Sequence, residues 1–230
     1  MLARRLLAEF LGTLLLLATV VGSGIMAAQL ADGNDAVSLL ANAGATAAVL
    51  YVLIVLFGPV SGAHFNPAVT LALRLRGELG TREALAYIAV QTVAAIAGVM
   101  LAHAMFELPL LQPGERMRTG GAQWLSEAVA SFGLIVAILL GRRQRPNAIP
   151  VLVAGYIFAA YWFTASTSFA NPAVTLARAL TRTFAGIRLE NVGGFVLAQL
   201  AGTLLALGAV ALLAPSTDAG AQSAERRSPA

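Results

Sequence analysis

The stretch Asn66–Ala72, with the sequence NPAVTLA, occurs a second time, unchanged, as Asn171–Ala177. Each copy lies in a part of the chain that is otherwise almost continuously apolar. In membrane proteins, a polar motif at corresponding places in two halves of the chain indicates a site near the bilayer midplane. The duplicated heptapeptide therefore predicts an internal repeat with a pore or a binding site between its two halves.

The composition indicates that lipid surrounds much of this chain. Its 230 residues are 58% hydrophobic and only 11% charged, with a mean hydropathy of +0.79, whereas soluble domains carry about 25% charged residues. The absence of cysteine excludes disulfides and thiol chemistry and leaves the redox compartment open. Because the net charge of +4 comes from arginines beside apolar segments, it indicates orientation in a membrane rather than nucleic-acid binding.

Six apolar segments are each close to the ~20 residues that cross ~30 Å of hydrocarbon. A signal peptide is the alternative for the first segment, because Arg4 and Arg5 precede a leucine-rich run. Glu9 interrupts that run, which favours a transmembrane helix. The tail at 215–230 has no periodicity and is predicted to be disordered. The six segments cover about 6–29, 37–57, 83–106, 124–141, 148–168 and 192–214.

The two halves are predicted to form an inverted repeat. Each half contains three apolar segments, and an odd number places the second half upside down relative to the first. With a cytoplasmic N-terminus, ten arginines fall inside and five outside, as the positive-inside rule requires. We expect repeats at 1–106 and 122–214, joined by a connecting loop at 107–121. We also expect the protein to lie in a bacterial inner membrane with both termini in the cytoplasm.

Each Asn-Pro dipeptide is expected to begin a short helix, over about 67–76 and 172–181. Asparagine is a favoured N-cap and proline suits the first helical position. Ten residues at 1.5 Å each give about 15 Å, half of the hydrocarbon thickness. Two half-helices entering from opposite faces would meet near the middle with their N-termini facing. The motif residues expected there are Asn66, Pro67, Ala68, Asn171, Pro172 and Ala173.

The facing N-termini of the two half-helices would place positive charge at the middle of the membrane. Each carries roughly half a positive charge, so the pair repels cations and protons without a charged side chain. We expect the amides of Asn66 and Asn171 to donate hydrogen bonds into the lumen and to orient a passing solute by its oxygen. The arrangement favours small neutral polar molecules, and we predict no cofactor and no metal site.

On these motifs the chain resembles the major intrinsic protein family, the aquaporins and aquaglyceroporins, over about residues 5–214. The matching stretches are Ala8–Thr13, Ser61–Thr70, Ser126–Glu127 and the second Asn-Pro-Ala. The resemblance implies an all-α membrane protein, a right-handed bundle of six tilted transmembrane helices plus two re-entrant half-helices. It also implies one pore per subunit, a homotetramer in the lipid bilayer, and passive flow in both directions.

The resemblance also implies roles for particular residues. Glu9 and Glu127 resemble the family's two buried glutamates, which hold the half-helix loops by accepting backbone N–H bonds; a proton relay is the alternative. His64 resembles the pore-lining histidine on the cytoplasmic side. His103 matches no family position, and we expect it to serve in packing or at headgroup level.

In this family the pore is narrowest at an outer constriction, and the residues of this chain at that place depart from the family pattern. Most members have an arginine directly after the second Asn-Pro-Ala, where this chain has Val174. By the family's spacing the other positions are Thr46, Ala159 and Ser168, and none of the four is aromatic. Small side chains predict a wide opening with hydroxyls and apolar surface. Arg178 lies one turn beyond Val174; it would partly replace the missing arginine, or, as we expect, be solvated near the outer surface.

Constrictions without the arginine resemble those of bacterial aquaglyceroporins associated with arsenic handling. We therefore expect a channel for glycerol-like neutral solutes and water, with arsenite or methylated arsenicals as further cargo. A water channel with loosened selectivity is the alternative, and a secondary transporter would need titratable or cation-binding groups at the midplane. An enzyme is disfavoured, because the chain has no cysteine, no lysine and only two histidines.

Overall fold

The computed structural model describes residues 2–213, so the predicted disordered tail lies outside the described residues. This part of the chain is helical, and six of its helices are long and apolar enough to cross a membrane. The two Asn-Pro-Ala motifs begin two further, short helices, α3 and α7. In chain order the helices are α1 Leu2–Leu30, α2 Asp35–Ser61, α3 Pro67–Leu75, α4 Thr81–Met105, α5 Gly121–Gln144, α6 Ile149–Phe163, α7 Pro172–Ala177 and α8 Leu189–Leu213.

The helices pair in the same way in both halves of the chain. Helix α1 packs against α2 and α4, and its counterpart α5 packs against α6 and α8. The two halves join where α2 packs against α6. The short helices cross between the halves, because α3 contacts α8 and α7 contacts α4. The predicted all-α fold is confirmed, and each half-helix is held partly by the other half.

The loops before the half-helices differ from the predicted elements. The apolar segment at 148–168 is helical only to Phe163, because the chain then turns through left-handed backbone at Thr167, Ser168 and Ala170 (φ 61°, 49° and 47°). The predicted half-helix at 172–181 is α-helical only to Ala177, and a 3-10 turn follows. The left-handed turn before α7 points the backbone N–H groups of Phe169 and Ala170 toward the buried carboxylate of Glu127, which an apolar sequence pattern does not reveal.

Small residues allow the helices to approach closely. A Cβ atom at Gly98 would overlap the backbone carbonyl of Leu14, where α4 meets α1. A Cβ atom at Gly202 would overlap the carbonyl of Ala128, where α8 meets α5. Close contact through glycine is typical of helix pairs in membranes. These two contacts fix the third long helix of each half against the first.

Candidate functional site

Glu9 of α1 is fully buried and holds the loop that precedes α3. One carboxylate oxygen accepts the backbone N–H of His64 at 2.9 Å and the hydroxyl of Ser61 at 2.7 Å. The other accepts the backbone N–H of Phe65 at 2.7 Å and the side-chain amide of Gln91 at 2.8 Å. A buried carboxylate is tolerated in a membrane only with such partners. Glu9 therefore fixes the shape of the first loop.

Glu127 of α5 does the same for the loop before α7. Its oxygens accept the hydroxyl of Ser166 at 2.6 Å and the amide of Gln199 at 2.6 Å. They also accept the backbone N–H groups of Phe169 and Ala170, both at 2.9 Å. The donors match those of Glu9 in type and in order. The inverted repeat thus extends to individual hydrogen bonds.

The two motif asparagines link the loops to each other. The amide of Asn66 donates to the carbonyl of Ala170 at 2.8 Å, and the amide of Asn171 donates to the carbonyl of Phe65 at 2.8 Å. Each side-chain oxygen also caps its own half-helix, at the N–H groups of Ala68 and Ala173 respectively. A carboxamide has two N–H donors. One is thus used across the repeat interface, and one is left for the lumen.

A cavity of about 620 Å³ lies between the two halves. The two asparagines are in its wall, as are residues from α2, α5 and α6. The other motif residues, Pro67, Ala68, Pro172 and Ala173, lie in the first turns of α3 and α7. Among the residues singled out in the sequence, the wall contains Thr46, His64, Asn66, Ser168, Asn171, Val174 and Arg178.

The placement of Ala159 in the constriction is wrong. Ala159 lies on the exposed face of α6, away from the cavity. The same helix presents Val153, Ile157 and Tyr161 to the cavity, four residues apart. The hydroxyl of Tyr161 lies 3.3 Å from that of Thr46. The wall thus contains an aromatic ring, contrary to the sequence-based expectation.

The two histidines occupy different environments. His64 lies in the cavity wall, and its Nδ1 is 3.1 Å from the hydroxyl of Thr70. His103 is fully buried at the end of α4. Its ring nitrogens lie 2.8 Å from the carbonyl of Leu110 and 2.8 Å from the hydroxyl of Thr181. His103 thus joins two loops between helices rather than facing a headgroup.

The expectation that Arg178 is solvated is also wrong. Its side chain is 2% exposed and lies in the cavity wall. The guanidinium carbon lies 3.4 Å from the ring centroid of Phe169, and Nε donates to the carbonyl of Ala185. A long side chain on a helix points back toward the N-terminus, here toward the pore. The ring and the carbonyl then hold it in place.

Arg118 is a buried cation that the sequence did not single out. It lies in the loop between α4 and α5, where it donates to the carbonyls of Gly186 at 3.1 Å and Ser166 at 3.0 Å. Its guanidinium carbon lies 5.0 Å from the centroid of the Phe169 ring, which Arg178 also contacts. Burial lowers the pKa of Arg118 to about 9, with a further contribution from Arg178. The group therefore stays charged at neutral pH.

Two half-helices that enter from opposite sides and meet at a shared cavity define a transmembrane channel. The sequence model of the major intrinsic protein family matches residues 1–145, and the chain belongs to this family. It is therefore an integral membrane protein that acts as a channel and not as an enzyme.

Three similar proteins have names that refer to glycerol. The chain is 58% identical over 206 residues to aquaglyceroporin AqpS of Rhizobium meliloti (strain 1021), covering 90% of this chain and 88% of the relative. It is 28% identical over 167 residues to a probable glycerol uptake facilitator protein of Thermotoga maritima, covering 66% and 70%. The X-ray structure of the aquaglyceroporin from Plasmodium falciparum superposes with a TM-score of 0.71, covering 91% and 96% at 16% identity.

Proposed function

We propose that this protein is a passive channel for glycerol-like polyols and water, with arsenite and methylated arsenicals as further cargo. The family membership supports the channel, and the names of the two bacterial relatives support polyols. Each cargo is a small hydroxyl-bearing molecule. Transport therefore requires groups in the cavity wall that form hydrogen bonds with the hydroxyls of the solute.

The observation that carries the proposal is the two-sided chemistry of the wall. Thr46, Ser168 and the asparagines supply hydroxyls and amides. Val174 and Ile157 supply apolar surface in the same cavity. A polyol has hydroxyls along one edge and C–H groups along the other, so it satisfies both surfaces at once. A wall suited only to water would gain nothing from its apolar side.

The aromatic ring of Tyr161 narrows the opening that the sequence predicts. The opening is not formed by small side chains alone, because the ring and the hydroxyl of Tyr161 share the wall with Thr46. Val174 still leaves the space that an arginine would fill. This combination supports a pore for three-carbon polyols and for trihydroxides of similar size, of which arsenite is one.

Cation exclusion follows from the half-helices. Their N-termini face each other through Asn66 and Asn171, and each carries roughly half a positive charge. Within residues 2–213, the cavity wall contains no aspartate or glutamate that would attract a cation. The same absence disfavours a coupled transporter, since Glu9 and Glu127 are each saturated by four donors.

The assembly and orientation complete the proposal. We infer a homotetramer in a bacterial inner membrane, with both termini cytoplasmic, from the family pattern and the distribution of arginines. The long helices expose many large apolar side chains, such as Leu197, Leu205 and Leu212, which lipid or a neighbouring subunit would cover. Crosslinking in native membranes and accessibility of a cysteine introduced at the N-terminus test these two points.

Stopped-flow light scattering tests the transported solutes. Proteoliposomes are mixed with an inward glycerol gradient, and empty liposomes are the control. Fast shrinkage followed by fast reswelling is the expected result, because water and glycerol share the pore. Fast shrinkage with reswelling at the control rate would instead establish a water channel. Arsenite uptake into the same vesicles is then measured directly.

A further inference from the structure

The two halves of the pore wall differ where the repeat predicts identity. In α3 the residues facing the cavity are Asn66, Val69 and Leu73. The corresponding residues of α7 and the turn after it are Asn171, Val174 and Arg178. Leucine on the cytoplasmic side is thus replaced by arginine on the outer side.

A second difference lies in the loops before the half-helices. Ser168 faces the cavity at the place that Ala63 occupies in the first half. Ser168 is 3% exposed, and its hydroxyl has no hydrogen-bond partner among the described residues. Unpaired buried polar groups are costly, so such a group indicates a missing partner. The outer half of the cavity therefore has a hydroxyl and a guanidinium at positions where the first repeat has alanine and leucine. The guanidinium that lines the inner half, that of Arg142, is paired with Glu78.

The guanidinium of Arg178 is only partly satisfied. Its Nε donates to Ala185, while its two terminal nitrogens donate to no group in residues 2–213. Neither Arg178 nor Arg118 forms a salt bridge in this part of the chain. Both guanidinium groups thus lie over the ring of Phe169 without a direct ion pair, although the carboxylate of Glu127, which holds the same loop, attracts both. A buried charge without a partner is strongly unfavourable.

From these contacts we propose that the outer half of the cavity binds a small monovalent oxyanion between the free nitrogens of Arg178 and the hydroxyl of Ser168. A guanidinium presents parallel N–H donors that match the two oxygens of a planar oxyanion. The facing half-helix N-termini repel cations but attract this charge. The inference rests on the proposed pore and adds to it a ligand class that the neutral-solute function does not include.

An anion held there would occupy the path of the solutes. The test uses nitrate, a planar oxyanion that stays charged at neutral pH and does not cross lipid as a neutral acid. Glycerol reswelling is measured with sodium nitrate equilibrated on both sides, at constant osmolarity kept with sucrose. We expect reswelling to slow with nitrate concentration, at least twofold at saturation. A wild-type rate that nitrate leaves unchanged would overturn the proposal.

Arg178→Leu is the matched variant, because leucine is the residue at the corresponding position of the other half. It should lose the slowing by nitrate, and measurement in identical solutions cancels effects of ionic strength. Equal sensitivity of variant and wild type would also overturn the proposal. Arg178→Lys keeps the charge but loses the paired donors, and it should need several-fold more nitrate; it serves if the leucine variant does not fold.

Failure of the proposed function remains distinguishable from failure of the anion site. A pore that conducts no glycerol shows reswelling at the empty-liposome rate before any nitrate is added. In that case the shrinkage phase, which reports water flux through the same cavity, becomes the readout. Nitrate should slow shrinkage in the wild type and not in Arg178→Leu, and equal rates in the two would reject the site.

Discussion

The hydroxyl of Tyr161 on α6 lies 3.3 Å from the hydroxyl of Thr46 on α2, so the two repeats touch through polar groups in the cavity wall. Both side chains are almost fully buried. Both residues line the cavity, and we propose that their contact limits the size of the solutes that pass.

Replacing this tyrosine should widen the pore. Tyr161→Ala removes the ring and the hydroxyl from the wall, so four- and five-carbon polyols should gain flux relative to glycerol. Reswelling rates of proteoliposomes in erythritol, xylitol and glycerol give the ratio. Ala159→Val is the control, because Ala159 lies on the exposed face of the same helix and should leave the ratio unchanged. An unchanged ratio in Tyr161→Ala would contradict this role.

Restoring an arginine at the constriction should narrow the pore. In Val174→Arg the side chain would enter the cavity and hold a fixed charge beside the solute. We expect glycerol flux to fall about tenfold, equivalent to a barrier about 1.4 kcal/mol higher, with a smaller effect on water. Val174→Leu controls for volume without charge. If Val174→Arg conducts glycerol at the wild-type rate, this position does not set selectivity.

Removing a loop-holding carboxylate should destabilise the protein. Glu127→Ala leaves the N–H groups of Phe169 and Ala170 without an acceptor. Each unpaired buried donor costs about 1–3 kcal/mol, so the melting temperature in detergent should fall clearly and water flux should be lost. Glu107→Gln, at an exposed position, is the control and should melt like the wild type. Unchanged melting of Glu127→Ala would mean that other contacts hold the loop.

Adding one methyl group should loosen the contact between α8 and α5. In Gly202→Ala the new Cβ would overlap the carbonyl of Ala128. Overpacking of this kind costs about 1–3 kcal/mol, which should lower the melting temperature. Gly208→Ala lies on the same helix with open space around it and should be neutral. Equal melting of the two variants would show that α8 shifts without cost.

The sequence predicted the fold well because its strongest signals are local. Apolar length identified the spans, and the repeated NPAVTLA stretch identified the half-helices and their symmetry. The family model and the relative from Rhizobium meliloti confirm the family, and the superposed structure confirms the architecture. The sequence alone therefore predicted membership in the channel class.

The pore wall was harder to predict because it depends on helix rotation. Helix α6 is apolar on all sides, so no periodic pattern separates Tyr161, which faces the cavity, from Ala159, which faces away. The sequence showed that Arg178 lies one turn beyond Val174, but the expectation of a solvated side chain missed its burial in the cavity wall. That burial depends on the ring of Phe169 and the carbonyl of Ala185, which the loops bring together.

The crossed asparagine bonds have a consequence for how the channel is made. The carbonyl that accepts from Asn66 belongs to a residue 104 positions later in the chain. During synthesis the first three spans enter the membrane while that acceptor has not yet been translated. Glu9 can hold the loop before α3 within the first repeat, but the bond from Asn66 forms only when the second repeat arrives. Residues of both repeats line the cavity, so its wall is complete only after the second repeat has been translated.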